Sequence, residues 1–331
     1  VDVTIKDVAK RAGVSTATVS RVLNGSPYVQ EHLASRVREA IAELGYRRNA
    51  AARSLKTKKT NTIGVLVPDI SNPYFMQISK GLEDVLAPHG FSLIFASSDE
   101  DSLKEAKLLR VLSEYRVDCL VVATAGGNDE LLKDINGGGL PVVLVDRLPP
   151  VLAGELDYVV EDNHSSAYQL VHHFLEQGAR SFGLIHGPMS ATTALERAFG
   201  CRAALAEGKV PPERIVEYHG DFSQASGQAA VRLFLQGELP DAVLALNNSM
   251  AWGAILELSK HKLRIGEDVL LGSYGAVDAA PLLPFSITYV DQNPRELGER
   301  VGEVVRERLV SSKQGHMWHV MQQKLRMDRP E

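Results

Sequence analysis

Ser15, Thr16, Ala17, Thr18, Ser20 and Arg21 are short, polar or small side chains, with one arginine, packed into seven positions just after Gly13. At helical spacing Val19, Val22 and Leu23 turn inward, leaving the polar set at the N-terminal end and on the outer faces. Such a set can touch base edges. Thr16 and Ala17 offer one hydrogen bond and one apolar contact, and Arg21 can grip a guanine with two parallel N–H donors. This is recognition chemistry, not bond-making chemistry. It requires a helix presented end-on by a second helix. The preceding residues supply one: Ile5, Val8, Ala9 and Ala12 share a face, Thr4 is an N-cap with Asp7 three residues on, and Gly13 permits the stop. Ser15 or Thr16 can cap the second helix. The spacing predicts a helix-turn-helix over Thr4–Asn24, whose second helix would lie in a DNA major groove. The bland alternative is an ordinary helical hairpin.

The charge distribution favours the first reading. The net charge of the 331 residues is -5, yet residues 1–59 carry +7 and the rest carry -12. A basic headpiece on an acidic body points to a polyanion partner for the headpiece alone. No run of about 18 apolar residues exists, so no membrane span is expected. The first residues, VDVTIKDVAK, show no apolar stretch of the kind a secretory signal carries. Cys119 and Cys201 lie in apolar or helical contexts and read as buried free thiols, which fits a reducing cytoplasm.

Along the chain, Asn24-Gly25-Ser26-Pro27 forms a turn, and Val29–Gly45 predicts a third helix with Leu33, Val37, Ala40, Ile41 and Leu44 inward. Arg47–Lys56 predicts a short helix capped by Asn49. At this length it needs a partner or DNA to form. A basic linker, Thr57–Thr62, follows. From Ile63 the chain alternates. Strands are expected at Ile63–Val67, Ser92–Ala96, Cys119–Ala123, Val142–Val145, Phe182–His186, Ile215–Tyr218, Ala242–Leu246 and Val269–Ser273, with helices between them. A last helix is expected at Pro294–Leu309, and His319–Leu325 is a weak strand candidate. The fold class is therefore α/β: an all-α helix-turn-helix headpiece plus two doubly wound lobes. The expected domains are a headpiece 1–48, a hinge and linker 49–61, and a core 62–331. In the core, one lobe covers 62–161 plus 293–320 and the other 162–292. Ligands of such sheets bind beyond the carboxyl ends of the strands. That nominates Asp69–Phe75, Ala125–Gly127, Asp146-Arg147, Asp162-Asn163, Gly187–Thr193, Asn247-Asn248 and Ser273–Gly275, with Thr193 and Tyr274 among them. His186, at a strand end, could add a donor.

Over essentially its full length the chain resembles the lactose/galactose/purine repressor family of bacterial transcription regulators. The strings that carry the resemblance are TIKDVAKRAGVSTATVSRVLNG, NAAARSLK, IGVLVPDISNPYF, RVDCLVVA, VVEDN, GDFSQASG and NNSMAWGAI. The resemblance implies core lobes of periplasmic-binding-protein type and a homodimer, with a tetramer open, on a pseudo-palindromic operator. Ser15, Thr16, Ala17 and Arg21 match the recognition-helix contacts, and Thr4 and Ser20 complete that candidate set. Leu55 matches a leucine that wedges into the minor groove at the centre of the site, accompanied by Asn49, Ala52 and Lys56. Arg48 stands where a proline is common. In the cleft, Tyr74 and Phe75 match an aromatic wall, and Asp162 an acidic position at a lobe crossover. Arg197 matches an anchoring arginine, Phe222 a stacking position and Asn247 a polar contact. Two family positions are lost. The aspartate that grips ligand hydroxyls or a base is Gly275 here, with Asp278 close by, and a second basic position is Ala191.

The function expected is an effector-responsive, operator-binding repressor controlled by a small molecule, a sugar or sugar derivative. The alternative is a solute-binding protein of a transport system, against which the basic headpiece argues. No enzyme is expected, since no GxGxxG, GxSxG or GK[ST] string stands in a convincing context. No metal or cofactor is expected either. His172-His173 and the pair His316 and His319 lack ligand partners at useful spacing, and Gly137–Gly139 reads as a loop. Trp252 reads as helix packing or a dimer contact.

Overall fold

The computed structural model describes residues 3–23, 25–46, 59–277, 283–311 and 315–328. The chain forms two units, residues 1–60 and 61–331.

The first unit holds three helices, α1 (Ile5–Ala12), α2 (Thr16–Leu23) and α3 (Glu31–Leu44). Asp7 accepts from the Thr4 backbone N–H at 2.9 Å and its hydroxyl at 2.6 Å, which holds its carboxyl below the usual range and fixes the start of α1. Gly13 ends the helix at φ 65°, a left-handed conformation that side chains with a Cβ adopt at a cost. The Ser15 hydroxyl accepts from the Thr18 N–H at 3.1 Å and opens α2. Val8, Ala9, Ala12, Val19, Val37 and Ala40 make a small buried core.

The second unit is two six-stranded sheets with helices on both faces. In chain order its elements are β1 (Thr62–Val67), α4 (Pro73–Leu86), β2 (Ser92–Ser97), α5 (Ser102–Glu114), β3 (Cys119–Val122), α6 (Asp129–Gly137), β4 (Val142–Asp146) and β5 (Asp157–Glu161). Then come α7 (Asn163–Glu176), β6 (Phe182–His186), α8 (Thr192–Glu207), β7 (Ile215–His219), α9 (Gln224–Phe234), β8 (Ala242–Ala245), α10 (Asn248–Lys260) and β9 (Leu270–Tyr274). The chain ends with β10 (Ile287–Asp291), α11 (Pro294–Leu309), β11 (Trp318–Met321) and β12 (Lys324–Asp328). The first sheet runs β11-β5-β4-β3-β1-β2 and the second β12-β10-β9-β8-β6-β7. All neighbours are parallel except β10 and β12. Central strands such as β3 and β4 are buried at every residue, as parallel strands covered on both faces must be. Cys119 and Cys201 are free and buried.

The chain crosses between the lobes three times: after β5, after β10, and between β11 and β12. Two strands, β5 and β10, were not expected from the sequence. The stretch His319–Leu325, expected as one strand, is divided at Gln322-Gln323 and serves both sheets. The anchor of β5 is polar: Asp157, buried, takes two bonds from Arg308 at 2.9 and 2.6 Å and one from the Met317 N–H at 2.9 Å.

Helix pairs close on glycine. A methyl group at Gly298 of α11 would overlap the Ile78 carbonyl of α4, and one at Gly81 would overlap the Arg295 carbonyl. Gly227 and Gly253 play the same reciprocal part between α9 and α10. The clash is with backbone, which cannot swing aside as a side chain can. Gly298→Ala is therefore expected to lower stability by about 2–3 kcal/mol, the upper end of ordinary overpacking, read as a fall in the urea midpoint. An unchanged midpoint would show that the two helices can slide apart freely.

Candidate functional site

Between the lobes, the strand ends enclose a chamber of about 110 Å³, lined among others by Asp69, Tyr74, Phe75, Asp146, Arg147, Arg197, Phe222, Asn247, Tyr274 and Gln292. It adjoins a wider hollow of about 410 Å³ that shares Asp69, Phe222, Ser223 and Asn248 with it and reaches Trp252. Trp252 also packs against the second-lobe core.

Each wall has a local cause. Asn72 caps α4 by accepting from the Tyr74 N–H at 3.0 Å, which turns Tyr74 and Phe75 to the strand ends. The Tyr74 hydroxyl donates to Asp146 Oδ1 at 2.8 Å, and burial followed by the Asp146 charge keeps the phenol protonated. Asp146, the last residue of β4, sits at φ 65°, so the chain turns and Arg147 points back inward. Arg147 donates to both Glu100 oxygens, at 2.7 and 2.6 Å, and to the Thr124 carbonyl at 3.1 Å. Its guanidinium lies 5.6 Å from the centre of the Phe222 ring, across the cleft. Phe222 covers Gly187 so closely that any side chain there would overlap the ring.

Arg197, on α8, is buried with its Nε on Asn163 Oδ1 at 2.8 Å and one terminal nitrogen on the Leu246 carbonyl at 2.9 Å. Its guanidinium stacks 3.7 Å from the centre of the Tyr274 ring. Asn247 caps α10 through its side-chain oxygen, 2.9 Å from the Met250 N–H, which leaves its amide N–H₂ for a ligand. Thr193 is buried at the start of α8 and lines the same chamber.

Seven of the nine candidate cleft residues thus meet at one chamber: Tyr74, Phe75, Thr193, Arg197, Phe222, Asn247 and Tyr274. His186 and Asp162 do not line it. His186 is fully buried, stacked on His219 with ring centres 5.2 Å apart and 3.9 Å from Glu217. Burial, only partly offset by Glu217, pushes its pKa down to about 4. The strand-end rule gave its height in the sheet but not its face. Asp162 sits at a crossover, accepting from the Ser165 N–H at 3.0 Å and from Gln322 at 3.2 Å. It ties two crossing segments together instead of facing a ligand.

Glu100, Asp221 and Gln292 line the chamber and were not singled out from the sequence. Glu100 follows β2 and Gln292 follows β10, so the strand-end rule would have reached both. The sequence gives Glu100 no role of its own, and Gln292 follows a strand that the apolar pattern does not predict. Gly275 has φ 96°, and Ala191 is buried ahead of α8. Asp278 lies outside the described residues.

In the first unit, Thr4, Ser15, Thr16, Ala17 and Arg21 are exposed and Ser20 is half-buried. Asn49, Ala52, Leu55 and Lys56, with Asn24 and Arg48, lie outside the described residues. Among the described residues no three His, Cys, Asp or Glu side chains meet to hold a metal, and no helix is long and apolar enough to cross a membrane.

The comparison with known proteins matches both units. Residues 4–49 fit the model of the bacterial regulatory proteins of the lacI family, and residues 60–314 fit that of periplasmic binding proteins and the sugar binding domain of the LacI family. The chain belongs to the LacI family. Within that family it is 34% identical over 308 residues to the HTH-type transcriptional repressor PurR of Aliivibrio salmonicida, covering 92% of each chain. Among solved structures it is similar to the transcriptional regulator CelR in complex with cellobiose, with a TM-score of 0.73 and 27% identity, covering 98% of each chain. The lac repressor dimer bound to operator and an anti-inducer shares the fold at a TM-score of 0.84 and 23% identity, covering 99% of this chain and 98% of that one. The lobes of this LacI-family chain place their chamber where two doubly wound sheets face each other, and the small three-helix unit is the part that matches the family's regulatory-protein model.

Proposed function

We propose that this LacI-family protein is an effector-responsive repressor that binds a pseudo-palindromic operator as a homodimer and acts in the bacterial cytoplasm. The observation that carries this reading is the pairing, in one chain, of an exposed recognition face on α2 with a chamber between two lobes. Thr4, Ser15, Thr16, Ala17, Ser20 and Arg21 read the major groove, while Asn49, Ala52, Leu55 and Lys56 serve the minor groove. The effector is a sugar or sugar derivative. The cellobiose complex of a regulator at 27% identity supports that class. Tyr74, Phe75, Thr193, Arg197, Phe222, Asn247 and Tyr274 hold it. The protein uses this chamber for binding, not for catalysis: the Tyr74 hydroxyl, the Arg197 Nε and the Asn247 side-chain oxygen are each engaged in pairing or capping. The bound molecule shifts the lobe equilibrium only by fitting one state better, and that preference decides whether it induces or corepresses.

Fluorescence anisotropy with palindromic duplexes tests the reading. Binding is expected to be sequence-selective and to weaken steeply with salt. Arg21→Ala is expected to cost about 1–3 kcal/mol at one base pair of each half-site. Arg197→Met is expected to abolish the response to added sugar. Sequence-indifferent binding, or no binding with or without any sugar, would remove the proposal.

A further inference from the structure

The hinge between the lobes holds a buried acid that does not line the chamber. Glu161 ends β5 and Gln292 follows β10, so the two residues mark two of the crossings between the lobes. Their side chains meet at 2.7 Å, with Gln292 in the chamber wall and Glu161, 2% exposed, behind it. A neutral carboxyl both donates and accepts, so it serves this contact with the amide in either orientation. The neighbouring acid is placed differently. Asp162 accepts on one oxygen from the Ser165 N–H at 3.0 Å and on the other from Gln322 at 3.2 Å. Glu161 is bonded through Oε2, and among the described residues its buried Oε1 has no hydrogen-bond partner. The third crossing is laced to the same place, since the Ser166 hydroxyl meets Gln323 Oε1 at 3.0 Å.

The groups that face Glu161 decide what a charge there would do. They are Asp146 from β4, Tyr74 from α4, Arg197 from α8, Tyr274 from β9 and Asp291 from β10. Asp146 and Asp291 repel a second carboxylate. Arg197 attracts it, but two of its nitrogens are bonded to Asn163 and to the Leu246 carbonyl. Burial keeps both phenols protonated. Burial, followed by the Asp146 charge, holds the Glu161 carboxyl up to about 8, so among these groups it is the one that changes charge in the mildly alkaline range. A buried carboxylate with one oxygen unpaired is costly, and water is the nearest remedy. Resting on the two-lobe receptor proposed above, we propose that Glu161 is a proton-operated switch at the hinge: neutral, it lets the crossings after β5 and β10 lie together and the cleft close; ionised, it releases its proton to solvent, draws water to its unpaired oxygen, parts the crossings and opens the cleft. The switch regulates the chamber because its partner Gln292 is part of the chamber wall. A molecule that binds the closed cleft takes up this proton in alkaline solution, and rising pH works against it.

The test is the lobe separation of the unliganded full chain, read by pulsed electron resonance between spin labels on Val151→Cys in the first lobe and Phe199→Cys in the second. Both positions are more than half exposed, whereas Cys119 and Cys201 are buried and take no label. Labelled chains are diluted with unlabelled ones, so that only pairs within one chain contribute. The separation is expected to grow by more than about 2 Å between pH 6.5 and pH 9, the scale of a domain rearrangement, with a midpoint near 8. Glu161→Gln is expected to keep the short separation at both pH values. Asp146→Asn, which removes a neighbouring negative charge, is expected to move the midpoint to lower pH, a shift that a residue serving only to fill space would not show. A separation that stays constant with pH, or one that changes equally in Glu161→Gln, would overturn the switch. Neither operator nor sugar enters this measurement, so its failure leaves the repressor reading standing. Failure of that reading, decided separately by anisotropy with palindromic duplexes, leaves the change in separation standing.

Discussion

Glu161→Gln is expected to make the protein more stable at pH 8, and the gain should vanish near pH 5. Burial, followed by the Asp146 charge, pushes Glu161 up to about 8 against the lowering pull of the Gln292 amide. An unfolded glutamate titrates near 4.5. Between those values the folded chain holds a proton that the unfolded chain has released. Stability is therefore fully present below pH 4.5 and lost as pH rises, at roughly 1.4 kcal/mol per unit. Summed across the window the loss is on the order of 4–5 kcal/mol, a large share of the roughly 5–15 kcal/mol that holds a typical domain. Glutamine keeps the acceptor for Gln292 and carries no proton to lose. Urea unfolding at pH 5 and pH 8 should show the two proteins converging at the lower pH and parting at the higher. His186 works in the opposite sense, with a pKa depressed to about 4, so its contribution is lost as pH falls from its ordinary 6.5. It is present in both proteins and cancels from the difference. Equal stabilities at pH 8 would mean that Glu161 ionises in place without cost, through water reaching its unpaired oxygen.

A buried acid under a ligand chamber is the kind of feature that the sequence hides. In the string VVEDN, Glu161 and Asp162 look alike, two acids before a helix. Only the fold separates them, sending Glu161 under the chamber and Asp162 to a crossover. The apolar runs Ile63–Val67, Cys119–Ala123 and Ala242–Leu246 were legible because a strand covered on both faces needs an unbroken apolar string. The strands β5 and β10, DYVVE and ITYVD, lack the unbroken apolar string of the others: polar residues stand at both ends or inside, Asp157 and Glu161 in one, Thr288 and Asp291 in the other. Their polar ends are satisfied by partners far along the chain, such as Arg308 for Asp157, and periodicity carries no such information. Gln292 was lost with β10. The headpiece was the most legible part, because α1 and α2 are built from local signals: a cap, a glycine stop and one apolar face. Those same signals placed Ser15, Thr16, Ala17 and Arg21 on an exposed surface, where the structure has them.

Arg147→Met is expected to destabilise the protein by about 3 kcal/mol, and adding Glu100→Gln is expected to recover most of that loss. The size of each effect depends on which charge the single change strands. Arg147 has only 4% of its side chain exposed and is held by both oxygens of Glu100, whose side chain is 29% exposed. Removing one partner of a buried pair typically costs about 3–5 kcal/mol because the other charge is left desolvated. Glu100 keeps some water, which sets the cost at the low end. The double variant strands no charge on Glu100, although buried Asp146, 3.6 Å from Arg147 Nε, loses the same guanidinium in both; methionine fills the arginine stem's volume, so a double-mutant cycle should return a coupling of about 2 kcal/mol. Thermal and urea unfolding of the four proteins measures it. Additive effects would show that the pair contributes by packing alone. The same arginine spans the cleft, since its guanidinium faces Phe222 of the second lobe while its carboxylate partner belongs to the first. Phe222→Leu removes the cross-cleft contact, worth about 0.5–2 kcal/mol, and leaves the ion pair whole. That variant should change stability little yet move the balance between lobe states, and with it the sugar concentration at which the operator is released or gripped. Loss of the ion pair therefore reads out as stability, and loss of the cross-cleft contact as response, because the same guanidinium is buried in one lobe and presented to the other.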